Sequence, residues 1–214
     1  MEMDEKINKI TEDMLTMFEI TINFLKEASA VYLNNMVVNV PKINDDEIDR
    51  LERNIEEECL LIILKERPFA SNLRKVSGIF KMVEDVERLG DHAEDLVWTT
   101  TNLLKYNENT KIVTLQNMIK VALGMVQDSY KAFATNDDAL AKSVIEKDDV
   151  VDSLYLEVLK ELPIKKDENG LKDDFIIYAT LLTKYIERIA DHASNIAEWV
   201  VYIKSGYYKD EVII

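Results

Sequence analysis

Cysteine, proline and glycine are scarce in this chain of 214 residues, with 1, 3 and 5 copies respectively. The lone Cys59 rules out an intramolecular disulfide, and its apolar neighbours suggest a buried thiol in a reducing compartment. So few helix breakers leave little room for a turn-rich β fold and favour long helices. Positive charge is also short. Lys and Arg number 26 against 41 Asp and Glu, for a formal charge of −15, and the longest basic runs are pairs such as Arg74-Lys75 and Lys165-Lys166. With no cationic stripe to follow a phosphate backbone, nucleic acid is not expected as a partner. The longest apolar run, CLLIIL from Cys59 to Leu64, is far below the roughly 20 residues that span a bilayer. The opening MEMDEKINK lacks the basic start and apolar stretch of a signal peptide. Together these point to a cytoplasmic protein with no membrane span.

What is present is helical periodicity. Hydrophobic residues at 47% and charged residues at 31% make a globular balance. From about Glu5 to Tyr32 the apolar residues Ile7, Ile10, Met14, Met17, Phe18, Ile22 and Leu25 follow the three-and-four spacing of one helical stripe. Pro41 precedes Asn44, Asp45 and Asp46, which can cap a second helix to about Lys65 carrying Ile48, Leu51, Ile55, Cys59 and Ile62. After Pro68, Ser71 can open a third helix to about Leu104, ended by the turn NENT. The order then repeats. A fourth helix spans about Lys111 to Ala134, a fifth is capped by Thr135-Asn136-Asp137 and closed by Pro163, and a sixth spans about Leu171 to Ser205 before a frayed YYKDEVII tail. The expected fold is all-α: six helices in two tandem antiparallel three-helix bundles, residues 1–106 and 107–214.

The halves share more than helix order. VERLGDHAEDL, from Val86, returns as IERIADHASNI, from Ile186, so that Glu87, Arg88, Asp91, His92 and Ala93 recur 100 positions later. Upstream, DDEID from Asp45 returns as DDVVD from Asp148. Each half therefore carries two i, i+4 acid pairs: Asp45 with Asp49 and Glu87 with Asp91, then Asp148 with Asp152 and Glu187 with Asp191.

Positions four apart lie one turn along the same helix face, so each pair sets like charges side by side. That arrangement weakens a helix unless a cation compensates, and carboxylate oxygens suit Mg²⁺, Ca²⁺, Mn²⁺ and, when bridging, iron. The plain alternative is a solvated acidic face. Arg88 and Arg188 stand three residues before Asp91 and Asp191, where each can form a surface ion pair of small worth. His92 and His192 follow those acids by one step, about 100° round the helix, and are not expected as direct ligands; they suit holding a partner within the bundle. The Glu-x-x-His element of helical di-iron enzymes is missing, and no nucleophile with a paired base is visible, so no catalysis is expected. Trp98 and Trp199 are expected to pack in the core or at an interface.

The segments DVERLGDHAEDL and YIERIADHASNIAEW, with DDEIDRLERNIEEE, DDVVDSLYLEV and RPFASNLRKV, resemble the PhoU family of phosphate-uptake regulators over nearly the whole chain. The resemblance implies surface multinuclear metal clusters, iron foremost, with manganese, magnesium, zinc or calcium as alternatives. Their ligands would be Asp45, Asp49, Glu87 and Asp91 in one half and Asp148, Asp152, Glu187 and Asp191 in the other. It further implies negative regulation of phosphate uptake and starvation signalling through contact with a phosphate ABC transporter and a sensor histidine kinase, often as a homodimer. The alternative function is an accessory or adaptor protein of another phosphate carrier, docking through acidic helix faces without metal. A charge of −15 repels free phosphate and no Gly-rich cradle is present, so contact with partners is favoured over direct phosphate capture. Pro41 falls where the second copy is helical, so the second site is expected to be the more complete. Gly90 stands where the second copy has Ala190, allowing closer helix approach in the first.

Overall fold

A computed structural model describes residues 3–36, 40–42, 44–105, 111–209 and the backbone of 211–212. Within these the chain forms α1 (Met3–Leu33), α2 (Asp46–Glu66), α3 (Ser71–Leu104), α4 (Val113–Thr135), α5 (Asp138–Asn169) and α6 (Asp173–Ser205). The apolar stripes are the reason these segments fold as helices and find one another. All seven stripe residues of α1 are buried, as are Ile48, Ile55, Cys59 and Ile62 of α2 and Val76, Val83, Leu89 and Leu96 of α3. Helices α1 to α3 pack together, α4 to α6 do the same, and the two sets join chiefly through α3 against α6 and α1 against α4. The buried residues of both sets form one continuous cluster. The expected boundary at 106/107 and the NENT turn lie outside the described residues.

Three local expectations change. Helix α5 does not stop at Pro163 but continues to Asn169. Pro163 is exposed, and what it removes is the bond its N–H would have donated one turn back. The added turns end at Gly170, whose φ of 59° suits glycine and whose N–H reaches the Asp167 and Lys166 carbonyls. An ion pair from Lys166 to Asp173 ties that end to the start of α6. Ser71 is the first helical residue of α3 rather than its cap; Ala70 holds that place without a side-chain bond. The tail is not frayed where it is described: Tyr207 and Tyr208 pair antiparallel with Val212 and Glu211. Its anchor is long-range, since the Tyr208 ring stacks on Trp199 at 3.9 Å and Lys209 Nζ lies 3.3 Å from Glu198 Oε2.

Two glycines set helix distances. A Cβ on Gly90 would lie 2.8 Å from Ile48 Cδ1, so this glycine lets α2 approach α3 closely. A Cβ on Gly78 would lie 2.4 Å from Ile203 Cγ1, at the α3–α6 contact joining the two sets. Gly124 in α4 meets nothing within 4 Å. Urea unfolding should separate them: Gly78→Ala is expected to lose about 1 kcal/mol, overpacking outweighing the gain in helix propensity, whereas Gly124→Ala gains roughly 0.5–1 kcal/mol. Stabilisation by both substitutions would show that the α3–α6 spacing adjusts freely.

Candidate metal centre

Helices α2 and α3 bring the four acids of the first half together. Asp45 occupies the cap position of α2, yet its side chain makes no capping bond. That task falls to Asn44, whose Oδ1 accepts the Asp46 N–H at 2.9 Å, leaving the Asp45 carboxylate available to the site. Burial, then the charge of Asp49 and further that of Asp91, raise Asp45 above the usual carboxylate range. Glu87 carries the larger burden: burial and Asp91 push it up to about 7, against the pull of Arg88. Arg88 donates from Nη1 to Asp91 Oδ2 at 3.0 Å and places Nε 3.5 Å from Glu87 Oε2. The ion pair foreseen from the i, i+3 spacing thus exists. It does not satisfy Glu87, whose Oε2 is buried without a hydrogen bond.

The second half repeats this on α5 and α6 with a different counter-ion, Lys184, and the expected Arg188–Asp191 ion pair is not formed among the described residues. Burial comes first, and then the charges of Asp191, Asp152, Asp149 and Glu187, in raising Asp148 to about 6. Asp191 is raised by burial and by Glu187, while Lys184 opposes the shift. Lys184 forms an ion pair with Glu187 one turn away. The equivalent position in the first half is Glu84. Glu84, together with Glu52, makes the first site the more acidic of the two, and both lie within electrostatic reach of Arg88. The 100-residue alignment that revealed the motif also contained this Glu84/Lys184 contrast, although periodicity assigned it no meaning.

In each half, then, two helices set their paired acids within electrostatic reach, and burial makes ionisation unfavourable. The residues fit a bound cation chemically: hard oxygen donors, a buried carboxylate oxygen that accepts no hydrogen bond and raised carboxyls that a positive charge would restore. They are not drawn into a finished cage. Among the described residues no three His, Cys, Asp or Glu side chains are grouped tightly enough to hold an ion.

The histidines lie between the two halves. His192 Nδ1 is 2.8 Å from Asp85 Oδ1 on α3, and Asn195 Nδ2 donates to the same oxygen at 3.3 Å, so His192 does hold a partner across the bundle. His92 Nδ1 is 3.2 Å from Asp95 Oδ2 on its own helix. Burial holds His92 below the usual imidazole range, with the neighbouring His192 adding to the effect and Asp95 opposing it. Arg88, Asp91, His92 and Asp95 line an open groove of about 540 Å³ with Arg188, Asp191, His192 and Asn195. Of the tryptophans, Trp199 is half-buried against Tyr202 and Tyr208, whereas Trp98 is 57% exposed and touches Tyr178 edge-on.

This arrangement of two like halves has known relatives. The PhoU domain family model matches residues 14–98 and again 115–200. The chain belongs to the PhoU domain family. A phosphate-specific transport system accessory protein PhoU homolog from Synechocystis sp. is 31% identical over 205 residues, covering 95% of this chain and 91% of the relative. A protein of the same name from Pseudomonas aeruginosa is 37% identical over 163 residues, covering 76% of this chain and 67% of the relative. In structure, this PhoU-family chain is similar to crystalline PhoU from Pseudomonas aeruginosa, with a TM-score of 0.85, 29% identity and coverage of 96% of this chain and 100% of that one. The phosphate transport system regulatory protein PhoU from Streptococcus pneumoniae shares the fold, with a TM-score of 0.82 at 24% identity and complete coverage of both chains, 100% each. Among the described residues of this family member, no helix is long and apolar enough to cross a membrane.

Proposed function

We propose that this chain is an accessory regulator of a phosphate transporter, acting by contact rather than catalysis, and that its paired carboxylates hold a metal cluster in each half. The relatives' names support the first part. For the second, the supporting observation is the crowding of half-buried carboxyls on adjoining helices, with Glu87 Oε2 left without a hydrogen bond. Asp45, Asp49, Glu87 and Asp91 would hold one cluster, and Asp148, Asp152, Glu187 and Asp191 the other. Iron is the leading metal, with manganese, magnesium, zinc or calcium compatible with the same oxygen donors.

Bound cations would supply positive charge on an otherwise acidic surface, and with it a means of engaging anionic groups of a partner. On this reading a phosphate ABC transporter and a membrane sensor histidine kinase are the partners, met at the cytoplasmic face of the membrane, with a homodimer as one form of the regulator. The metal-free alternative, an adaptor docking through acidic faces, draws on the resident cations Arg88 and Lys184, which already neutralise part of each site.

Metal analysis of purified protein separates the two. Glu87→Ala with Asp91→Ala is expected to lose the metal of the first half alone, and Glu187→Ala with Asp191→Ala that of the second alone. Unchanged metal content in both variants, with partner binding that collapses in salt and ignores chelators, would establish the metal-free adaptor.

A further inference from the structure

The carboxylate sites lie within the two halves; the two histidines of the chain meet between them. His92 on α3 and His192 on α6 have ring centroids 5.5 Å apart, tilted by 38°. Each Nδ1 faces a carboxylate, His92 to Asp95 at 3.2 Å and His192 to Asp85 at 2.8 Å. An ionised carboxylate only accepts hydrogen bonds, so Nδ1 of each ring carries the proton and donates it. In the neutral imidazole this leaves the lone pair on Nε2, and neither Nε2 has a hydrogen-bond partner among the described residues. Carboxylates on Nδ1 are also the supports that orient a histidine and raise its basicity when it binds a metal through the other nitrogen.

We infer that His92 and His192 form a second kind of metal site, a two-imidazole clamp for a late first-row divalent ion such as Zn²⁺ or Cu²⁺, bridging the two halves through α3 and α6. The spacing suits it. A metal–nitrogen bond of about 2.0–2.1 Å, with about 1.1 Å more to the ring centre, puts two imidazoles on one tetrahedral ion about 5.2 Å apart, centre to centre. The observed centroid separation of 5.5 Å is close to that value. Imidazole nitrogen prefers these ions, whereas the carboxylate sites suit harder ones, so the two kinds of site sort metals by chemistry. Asp91 and Asp191 line the same groove, which is open to solvent and leaves room for water as the remaining ligands. The clamp takes no ligand from the carboxylate pairs and is tested apart from them, with Asp91 and Asp191 neighbouring both kinds of site. Its consequence is mechanical: an ion held by one residue from each half ties the halves together at their main contact.

The test uses the untagged full-length chain with one equivalent of Cu²⁺, read by electron spin echo modulation, which detects the remote nitrogen of each coordinated imidazole. Two imidazoles on one copper are expected in the parent protein. One is expected after His92→Ala or after His192→Gln, the latter at a more accessible position if the buried His92 does not tolerate loss. Asp45→Ala combined with Asp148→Ala, which strips a ligand from each carboxylate site, should leave the two-imidazole signal intact. Zn²⁺ calorimetry should show affinity falling at least about tenfold in either histidine variant, the scale of loss when even a supporting residue of a metal site is removed. A parent spectrum with one imidazole or none, or Zn²⁺ affinity unchanged by His192→Gln, would overturn the clamp and leave the carboxylate reading untouched.

Discussion

Metal-free protein carrying Glu87→Gln is expected to be more stable than its parent at about pH 8, by about 2 kcal/mol, and nearly equal to it near pH 4.5. The sign follows from which state holds the proton. Burial and Asp91 raise Glu87 to about 7 in the folded protein from its ordinary value of 4.5. Between those values the folded state binds more protons than the unfolded one, so stability falls as pH rises through this window, and the whole penalty is in force above it. The shift alone would give more than 3 kcal/mol, and solvent screening reduces it. Asp148, raised to about 6, adds a slope of the same sign. Thermal unfolding in excess chelator at the two pH values is the measurement. A bound metal should flatten the parent's slope, while Glu87→Gln should gain stability and lose metal together, as happens when a residue is kept for function at a cost in stability. If Glu87→Gln lowered stability equally at both pH values, the carboxyl would be a structural hydrogen-bonding group and not a strained ligand.

Lys184→Met is expected to tighten Mn²⁺ binding in the second half by about tenfold, equivalent to about 1.4 kcal/mol. Lys184 already sits on Glu187, so a divalent ion entering there must displace it or bind against its charge. Glu84 stands at the matching position of the first half. The reciprocal change, Glu84→Lys, should therefore weaken the first site by a similar factor. Mn²⁺ calorimetry on the two variants, each with the opposite site disabled by the Ala pairs described above, isolates the effects. An isotherm unmoved by Lys184→Met would make the Lys184–Glu187 pair a surface feature with no part in cation binding. The expectation that the second site is the more complete rests on Pro41, and α2 does start late, at Asp46; the Glu84/Lys184 contrast instead adds an acid to the first half.

Much of the candidate site could be read from spacing because i, i+4 on a helix is a geometric statement. Asp45 with Asp49 and Glu187 with Asp191 share faces whatever surrounds them. Counter-ions were only partly legible: Arg88 with Asp91 is a local i, i+3 pair, but the contrast between Glu84 and Lys184 gains meaning only once the acids of α2 and α5 arrive opposite. Caps were ambiguous for a related reason. Asn44, Asp45 and Asp46 all have side chains able to cap α2; the backbone places Asp45 at the cap position, and the side chain that accepts a free N–H there is Asn44's. Pro163 misled because proline ends a helix only where the lost hydrogen bond cannot be borne, and on an exposed stretch closed by Gly170 it can.

The sequence by itself determined six helices, their apolar stripes, the duplicated acid pairs and the absence of any long apolar span, because each of these depends on residues within a few turns of one another. Only the tertiary structure decided that α3 and α6 are the helices on which the halves meet, that the His92 and His192 rings come within 5.5 Å of each other there, and that Asp85 reaches His192 from the other half. A stripe specifies which side of a helix is buried, but not which neighbour covers it or at what height. Those follow from close packing at contacts such as Gly78 against Ile203 and Gly90 against Ile48, formed between residues far apart in the chain.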